Sequence, residues 1–404
     1  MRLAFALLAL LAVSVASGCD TSDGSSLYDP EAPDGPAPVI DAVSPSGVVL
    51  AGVDVVSITG QNFSAVATDN IVFFDDAQGT TARGTVVEAS ATQLRVQTPN
   101  LPSPALRVRV SVVGAEAFSN SVALPLTAAV ARVSDFGRAE EAFGATTDAA
   151  GNLYISLTAE GASSGVQRIA PDGTRSVYYD ATSAIWSDLA IAPDGTLYGV
   201  RGLRAVFRLP QGGDQEVLAA LPNGVVLSAI DVDASGAVWV GGNNAAIYRI
   251  TPDGTTSSFA FGGNVRAISV AGETLYAAVT QDGVSRIVRA SIAGGTLGAL
   301  EEVANVTAFN GRRATSLAVA ASGDLYVGTV DDDVTRADPD PILYVPAGGA
   351  PEVLYPGVLS GPVTSLSFGG TGLYLAKTPS PGTSVTPPTP ADLVRVEVRQ
   401  PGAP

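Results

Sequence analysis

The stretch Ala192-Pro193-Asp194-Gly195-Thr196-Leu197-Tyr198 is a tight turn that leads into an apolar strand. Asp and Gly suit such a turn, because Asp hydrogen-bonds its own backbone and Gly adopts positive φ at no steric cost. The end of this stretch, a glycine shortly before Leu or Val and an aromatic residue, recurs every 37 to 50 residues through the last two thirds of the chain. A repeat of this period indicates that similar supersecondary units are packed side by side. The six copies are Gly151-Asn152-Leu153-Tyr154, Gly195-Thr196-Leu197-Tyr198, Gly236-Ala237-Val238-Trp239, Gly272-Glu273-Thr274-Leu275-Tyr276, Gly323-Asp324-Leu325-Tyr326 and Gly372-Leu373-Tyr374.

A second apolar motif follows each copy and predicts the next strand of the same unit. With one strand before and one after, each unit holds four short strands, so six units predict a six-bladed β-propeller over residues 129–400. The last unit lacks its outer strand, and Arg132-Val133-Ser134-Asp135-Phe136 is expected to supply it and close the ring. The copies of the second motif are Val166-Gln167-Arg168-Ile169, Val206-Phe207-Arg208-Leu209, Ile247-Tyr248-Arg249-Ile250, Ile287-Val288-Arg289-Ala290, Ile342-Leu343-Tyr344-Val345 and Leu393-Val394-Arg395-Val396.

These repeats resemble the NHL and gluconolactonase-like propellers. The resemblance implies a fold, because one propeller architecture hosts many unrelated functions. We expect the Leu–aromatic column to pack blade against blade. We also expect the repeated arginines to have structural roles, with their stems on apolar surface and their guanidinium groups bonded to turns.

Residues 38–127 predict a second, smaller β domain. Short strands separated by turn residues are typical of a β-sandwich of this length. The segments Val43-Ser44-Pro45, Ile58-Thr59-Gly60-Gln61-Asn62-Phe63 and Phe118-Ser119-Asn120-Ser121-Val122 resemble an IPT/TIG domain, an immunoglobulin-like module that acts as a spacer or binding domain. Gly60 is expected to form a turn and Phe63 to anchor a loop in the core. The chain as a whole is therefore predicted to be all-β.

The first residues have the layout of a bacterial lipoprotein signal peptide. Arg2 precedes an apolar run from Leu3 to Val15 that is too short to span a bilayer comfortably, and small residues lead to Cys19. This resembles a lipobox, which implies cleavage after residue 18 and lipid on Cys19; ordinary signal-peptide cleavage is the alternative. Residues 19–37 are polar and rich in Pro and Gly, which predicts a flexible tether.

Composition excludes several functions. The net charge is −17 and Lys377 is the only lysine, so the positive surface that nucleic-acid binding requires is missing. The chain contains no histidine, which removes Ser-His-Asp and Cys-His catalysis and every histidine metal site. Cys19 is the only cysteine, so no disulfide can form within one chain.

Propellers place functional groups around the central channel, near the starts of the innermost strands. Only one carboxylate, that of Asp188, lies in the channel column, whereas gluconolactonase-like enzymes hold a divalent metal there with several carboxylates and an amide. The small, hydroxylated column is typical of a solvated channel lining. Aligned by the repeat, it reads Gly144, Asp188, Ala229, Ala267, Ser316 and Ser365, preceded by Phe143, Ser187, Ser228, Arg266, Thr315 and Thr364.

Two further groups are candidate sites. Asp331, Asp332, Asp333 and Asp338 are close enough in sequence to hold Ca²⁺, although we favour a solvated acidic loop because their spacing fits no known calcium loop. Asp188 of the channel column is a further candidate Ca²⁺ ligand. Trp186, with Tyr179, is a candidate aromatic platform for a sugar, and packing under a loop is the alternative.

The sequence therefore predicts an exported protein held by lipid to the bacterial envelope, at the outer membrane or cell surface rather than the inner membrane. Its propeller is expected to bind a protein or glycan partner, with no cofactor other than the calcium considered above. Two alternatives stay open: a metal-dependent lactonase or related hydrolase in the channel, and a structural cell-surface component. A binding role is favoured over an enzyme because the channel column has neither histidine nor clustered carboxylates.

Overall fold

The structure is a computed structural model that describes residues 35–134, 140–159, 162–180, 184–331, 340–377 and 392–403. The predicted signal peptide, Cys19 and nearly all of the tether lie outside the described residues. So do Asp332, Asp333, Asp338 and the pair Asp135 and Phe136. No helix among the described segments is long and apolar enough to cross a membrane.

The first domain is a β-sandwich. Its strands hydrogen-bond in the order β1-β3-β6-β5-β4-β7-β8, and the long β5 pairs with β6 at one end and with β4 at the other, so that it joins the two sheets. The strands are β1 (Val39–Ser44), β2 (Leu50–Ala51), β3 (Val55–Gln61), β4 (Asn70–Asp75), β5 (Thr81–Ala89), β6 (Gln93–Gln97), β7 (Arg107–Val112), β8 (Val122–Ala123) and β9 (Thr127–Ala128), with a 3-10 turn at Ala67–Asp69. Alternating residues of these strands form one core, as expected when one face of each sheet is buried.

Gly60 is needed for a reason other than the predicted turn. It lies inside β3, where a Cβ atom would approach the Val39 carbonyl oxygen to 1.9 Å and the Phe63 ring to 2.7 Å. The close approach of β1, rather than a positive φ, therefore requires glycine. Phe63 is buried in the core as predicted.

The second domain is a six-bladed β-propeller. Each blade is an antiparallel sheet, and the six innermost strands surround a central channel. Blade 1 contains β11 (Glu140–Thr147), β12 (Leu153–Ala159), β13 (Ala162–Ile169) and β14 (Arg175–Tyr179); blade 2 contains β15 (Asp188–Ile191), β16 (Leu197–Val200), β17 (Ala205–Arg208) and β18 (Glu216–Ala220); blade 3 contains β19 (Leu227–Val232), β20 (Val238–Gly242), β21 (Ala246–Ile250) and β22 (Thr256–Ala260).

Blades 4 to 6 repeat the arrangement with small variations. In blade 4, a short strand extends the third strand, and a helix of five residues, α1 (Val306–Asn310), leads to blade 5. Blade 4 contains β23 (Asn264–Ala271), β24 (Thr274–Gln281), β25 (Val284–Ala293), β26 (Thr296–Leu297) and β27 (Glu301–Asn305); blade 5 contains β28 (Arg313–Val319), β29 (Leu325–Val330), β30 (Ile342–Val345) and β31 (Glu352–Val353); blade 6 contains β32 (Val363–Gly369), β33 (Gly372–Lys377) and β34 (Asp392–Glu397).

The ring closes through a strand from the start of the domain. β10 (Val130–Ser134) pairs antiparallel with β34 and becomes the outer strand of blade 6, which confirms the predicted closure. The Arg132 guanidinium lies 3.1 Å from the Asp392 carboxylate across this pair. Because the first strand of the propeller pairs with the last one in blade 6, strand pairing closes the ring.

The Leu–aromatic column is buried between blades, as predicted. Leu153, Leu197, Leu275 and Leu373 are at most 1% exposed, and Trp239 is fully buried. These residues belong to hydrophobic clusters that cross blade boundaries; one of them joins Tyr374 of blade 6 to strands of blade 1.

Candidate functional site

The innermost strands enclose a channel with a cavity volume of about 1070 Å³. They begin at one opening, here called the loop mouth, and end in the glycine turns of the other, here called the turn mouth. Residues 401–403 lie at the turn mouth, where the Ala403 amide donates to the Val319 carbonyl at 2.8 Å. The channel is thus narrowed at one end by the chain that follows the last blade.

A β-bulge recurs at one point of the innermost strands. Pairing skips one residue in each of four blades, and the extra residues are Ser228, Arg266, Thr315 and Thr364. A bulge leaves its residue unpaired and turns its side chain away from the regular alternation. These four residues come directly before the channel column that the repeat alignment selected, so the sequence located the bulges without identifying them.

Three bulge hydroxyls bond to the next blade. Ser228 Oγ donates to the Val265 carbonyl at 2.9 Å and Thr315 Oγ1 to the Val363 carbonyl at 2.8 Å. Thr364 Oγ1 lies 3.2 Å from the carbonyl of Ala142 in blade 1. These hydroxyl residues line the channel, as expected, and their hydroxyls also satisfy the unpaired inner edges of neighbouring strands.

Asp188 joins blades 2 and 3. Its Oδ1 accepts a hydrogen bond from the Leu189 amide at 3.0 Å, and its Oδ2 accepts one from the Ile230 amide in blade 3, also at 3.0 Å. Both carboxylate oxygens thus bind backbone N–H groups that face the channel and have no strand partner. This geometry favours a role for Asp188 in joining blades 2 and 3 over a role as a metal ligand.

Asp231 repeats this arrangement between blades 3 and 4. Its Oδ1 accepts from the Val232 amide at 2.8 Å and its Oδ2 from the Val270 amide at 2.7 Å. Sequence reasoning missed Asp231, because it lies two residues beyond Ala229, the aligned column position. The only signal in the sequence was an Asp two residues beyond the column position, because residues two apart on a strand face the same side.

The two carboxyl groups lie in an environment that disfavours charge. Burial, with a smaller effect of the Asp231 carboxylate, raises the pKa of Asp188 to about 8, against the lowering effect of its two amide donors. Burial likewise raises the pKa of Asp231 to about 6. Burial thus disfavours the charged form of Asp188 near neutral pH.

Asp331, the one residue of the predicted calcium loop that the structure describes, does not lie with Asp188. Asp331 follows β29 in blade 5, whereas Asp188 starts the innermost strand of blade 2. Within the described ranges, no three Asp, Glu, Cys or His side chains form a group that could hold a metal ion. A calcium site at Asp332, Asp333 and Asp338 stays a prediction, because those residues lie outside the described part.

Gly144 lies in close contact with the innermost strand of the next blade. A Cβ atom at this position would lie 2.3 Å from the Cα atom of Asp188, and the Gly144 amide donates to the Trp186 carbonyl at 3.3 Å. Only glycine allows blade 1 to approach blade 2 in this way.

Arg266 differs from the other bulge residues. Its side chain lines the channel and is exposed, and it forms no hydrogen bond or ion pair with another described residue. It is therefore the channel's available cation, opposite in sign to the carboxyl groups of Asp188 and Asp231.

Trp186 and Tyr179 do not form an exposed sugar platform. Trp186 is fully buried and Tyr179 is 4% exposed. The Trp186 ring makes edge contacts with Tyr179 and Phe207, and the Arg201 guanidinium lies 5.2 Å from its centre. The packing alternative describes these rings, because an aromatic platform needs an exposed ring face.

Residues 38–126 match the sequence model of the IPT/TIG domain, which agrees with the sandwich described above. The match covers the first domain and leaves the propeller unassigned. None of the curated proteins matches this chain.

Solved structures with similar architecture include a protein of unknown function from Bacteroides thetaiotaomicron, at 13% identity and a TM-score of 0.47, covering 92% of this chain and 99% of that one. Virginiamycin B lyase from Staphylococcus aureus is similar at 15% identity and a TM-score of 0.45, covering 89% and 94%. The WD40 β-propeller domain of Doa1 follows at 9% identity and a TM-score of 0.41, covering 89% and 96%. Similarity at this level indicates no function.

Proposed function

We propose that this protein is an exported, lipid-anchored binding module, in which the IPT/TIG domain and the propeller present a surface to a protein partner in the bacterial envelope. The surface is the loop mouth beside blades 2 and 3. A protein partner is favoured over a glycan, because the aromatic rings first considered for a sugar are buried.

The observation that carries the proposal is a set of exposed aliphatic side chains on these loops. Ile185, Leu203 and Val226 are 39%, 50% and 41% exposed. Ile185 precedes β15, Val226 precedes β19, and Leu203 lies in the loop that follows β16 at the same end of blade 2. The Leu227 amide donates to the Leu203 carbonyl at 3.1 Å, so two of the three loops touch. Neighbouring exposed apolar residues are typical of protein interaction sites.

The polar groups of the channel give the lactonase alternative little support. Both oxygens of Asp188 and Asp231 hold backbone amides, and three of the hydroxyls hold carbonyls of the next blade. Groups committed in this way maintain the ring. The lactonase alternative would require them to release these bonds during the reaction.

Crosslinking on intact cells tests the surface. We expect the wild-type protein to crosslink to one defined envelope protein, and the double variant Leu203→Asp, Val226→Asp to lose that product, because two charges would be buried in the interface. Val217→Asp is the matched control, since Val217 lies on the outer strand of the same blade and is 60% exposed. Equal crosslinking by the double variant would contradict the proposal.

Lipid attachment has a separate test. Metabolic labelling with an alkyne fatty acid is expected to label the wild-type protein, and Cys19→Ser is expected to abolish both the label and the membrane fraction. Ser17→Ala, which keeps a small residue before the cysteine, should leave both unchanged. Membrane retention of unlabelled Cys19→Ser protein would contradict lipid anchoring.

A further inference from the structure

A second cavity, of about 640 Å³, lies between the IPT/TIG domain and blade 5. Gly52, Val53 and Gln97 line it from the first domain, and Tyr344, Glu352 and Tyr355 line it from the propeller. The residues that line it in the described structure include one carboxylate and no lysine or arginine. Sites between domains are common places for ligands, because two walls can enclose a group that neither could hold alone.

The cavity coincides with a break in the repeat. The second strand motif carries Arg168, Arg208, Arg249, Arg289 and Arg395 in five blades, whereas blade 5 has Tyr344. In blade 4, Arg289 lies across the strand pair from Glu301, and their side chains form an ion pair at 2.9 Å. Glu352 occupies the corresponding position opposite Tyr344. Blade 5 thus keeps the glutamate and lacks its guanidinium partner.

In the described part of the chain, no other cation forms an ion pair with Glu352 in place of the missing arginine. It is exposed and forms no ion pair or side-chain hydrogen bond with another described residue. The Tyr344 ring beside it is held in place by a hydrogen bond of 2.9 Å from its hydroxyl to Asp324 Oδ2. A carboxylate next to a fixed aromatic face is a favourable site for a cation.

The backbone places a second aromatic ring at the same cavity. Tyr355 has a φ of +50° and is the only aromatic residue with positive φ among the described residues. A bulky residue in this conformation is strained and persists only where its surroundings hold it. Tyr355 donates from its hydroxyl to the Glu397 carbonyl at 2.7 Å, and the Val358 amide donates to the Tyr355 carbonyl at 3.0 Å.

The opposite wall is fixed to the propeller. Arg399 donates to Asp54 and to the Val48 carbonyl of the first domain, which holds that domain beside the end of β34. Arg399 is thereby paired with Asp54, and it forms no ion pair with Glu352 among the contacts of the described residues. The side-chain amide of Gln97 completes the wall with a polar group.

We propose that this interdomain cavity binds an arginine side chain of a partner protein, with its guanidinium against the Glu352 carboxylate and the rings of Tyr344 and Tyr355. The guanidinium would supply to Glu352 the positive charge that Arg289 supplies to Glu301 in blade 4. The proposal rests on the proposed function only in taking a protein as the partner. The cavity is formed by blade 5 and the first domain, away from Leu203 and Val226, so the two tests can fail independently.

The probe is N-acetyl-arginine amide, titrated against the full chain and followed by NMR. We expect weak saturable binding, of about 1 mM as befits a single side chain, that weakens with added salt. N-acetyl-citrulline amide has the same shape without the charge and should not bind. Equal binding of both probes, binding of neither, or binding of maltotriose alone would overturn the proposal.

Four variants locate the site. Glu352→Gln removes the charge of an exposed side chain and should weaken binding about tenfold or more. Tyr344→Arg restores the residue of the other blades and should abolish binding, because an internal guanidinium then pairs with Glu352. Tyr355→Asn removes a ring while suiting the positive φ, and should also weaken binding. Tyr344→Phe keeps the ring and should still bind. Unchanged binding by Tyr344→Arg would refute the assignment.

Discussion

At the scale of single residues, Asp188 and Asp231 have the same contacts on neighbouring blades. Each carboxyl group accepts one amide from its own strand and one from the strand beside it. Because an innermost strand has no further strand to pair with, its inner amides need acceptors from side chains. Burial at these positions disfavours the charged form of both carboxyl groups, so their pKa values are raised.

The pKa of Asp188 makes folding stability depend on pH in an unusual window. The folded protein keeps a proton on Asp188 up to a pKa of about 8, whereas the unfolded chain loses it near 3.8. The proton on Asp188 therefore contributes its full stabilisation of the folded state below pH 3.8. This contribution to the free energy of unfolding declines as the pH rises to about 8. Since the chain has no histidine, we expect stability to fall between pH 6 and 8 by up to about 1.4 kcal/mol per unit.

Urea unfolding at several pH values, in a Cys19→Ser background that removes the thiol, measures this slope. Asp188→Asn should abolish it, because the amide does not titrate. Asp194→Asn, at a turn where amide hydrogen bonds lower the pKa, should retain it. A slope that persists in Asp188→Asn would show that another group is responsible.

Gly144 gives a second prediction at this scale. Gly144→Ala would place a methyl group against the Asp188 backbone and separate blades 1 and 2. We expect destabilisation of about 1–3 kcal/mol or more, as for other overpacked sites, measured by urea unfolding. Gly202→Ala is the control, since a Cβ atom there meets nothing within 4 Å. Equal stability of the two variants would mean that the strands separate without cost.

At the scale of elements, the β-bulge of the innermost strand links a blade to the next blade of the ring. In blades 3, 5 and 6 its hydroxyl bonds to the backbone of the next innermost strand. The alternation of apolar residues predicts which strands pair within a blade. It does not predict what the unpaired edge of the innermost strand binds. The repeat alignment found these positions because the bulge residues recur nine or ten residues before the Leu or Val of the Leu–aromatic motif.

Thr315→Val tests the bulge bond. The substitution keeps the shape of the side chain and removes the hydroxyl that donates to the Val363 carbonyl. We expect a loss of about 0.5–1.5 kcal/mol in the free energy of unfolding, which is typical of one hydrogen bond. Thr256→Val, on the exposed outer strand of blade 3, should change stability little or raise it, because valine favours strands. A neutral Thr315→Val would indicate that solvent replaces the bond.

At the scale of the whole molecule, two contacts hold distant parts of the chain together. β10 joins the last blade and closes the ring, and Arg399 links the end of the propeller to the first domain through Asp54. Only residue 129 separates β9 of the first domain from β10. The two domains are therefore joined by both a short link and a side-chain contact.

Arg399→Asn tests the contact between domains. Asparagine suits the φ of +61° at this position and removes the guanidinium. We expect faster amide hydrogen exchange in residues 48–54, with exchange in the blades unchanged. The effect should be small, because the pair is partly exposed and such pairs contribute about 0.2–1 kcal/mol. Arg95→Gln, which breaks an exposed pair within the first domain, should not alter exchange there, and matching profiles would contradict the role of Arg399.

The sequence by itself determined the all-β class, the six blades, the closing strand and the IPT/TIG domain. These depend on local signals, namely alternating apolar residues, glycine turns and a regular period, which each segment carries in its own residues. The sequence could not determine that Trp186 is buried, that Gly60 meets β1, or that Asp231 spans two blades.

Only the tertiary structure decided what the channel groups bind and where the interdomain cavity lies. Asp188 and Ile230 are 42 residues apart, and Arg399 and Asp54 are 345 apart. The repeat shows that Tyr344 replaces an arginine. It does not show that the first domain lies beside blade 5 and forms a cavity there with Tyr344. Contacts between segments so distant arise from the packing of whole blades and domains, and no local pattern encodes them.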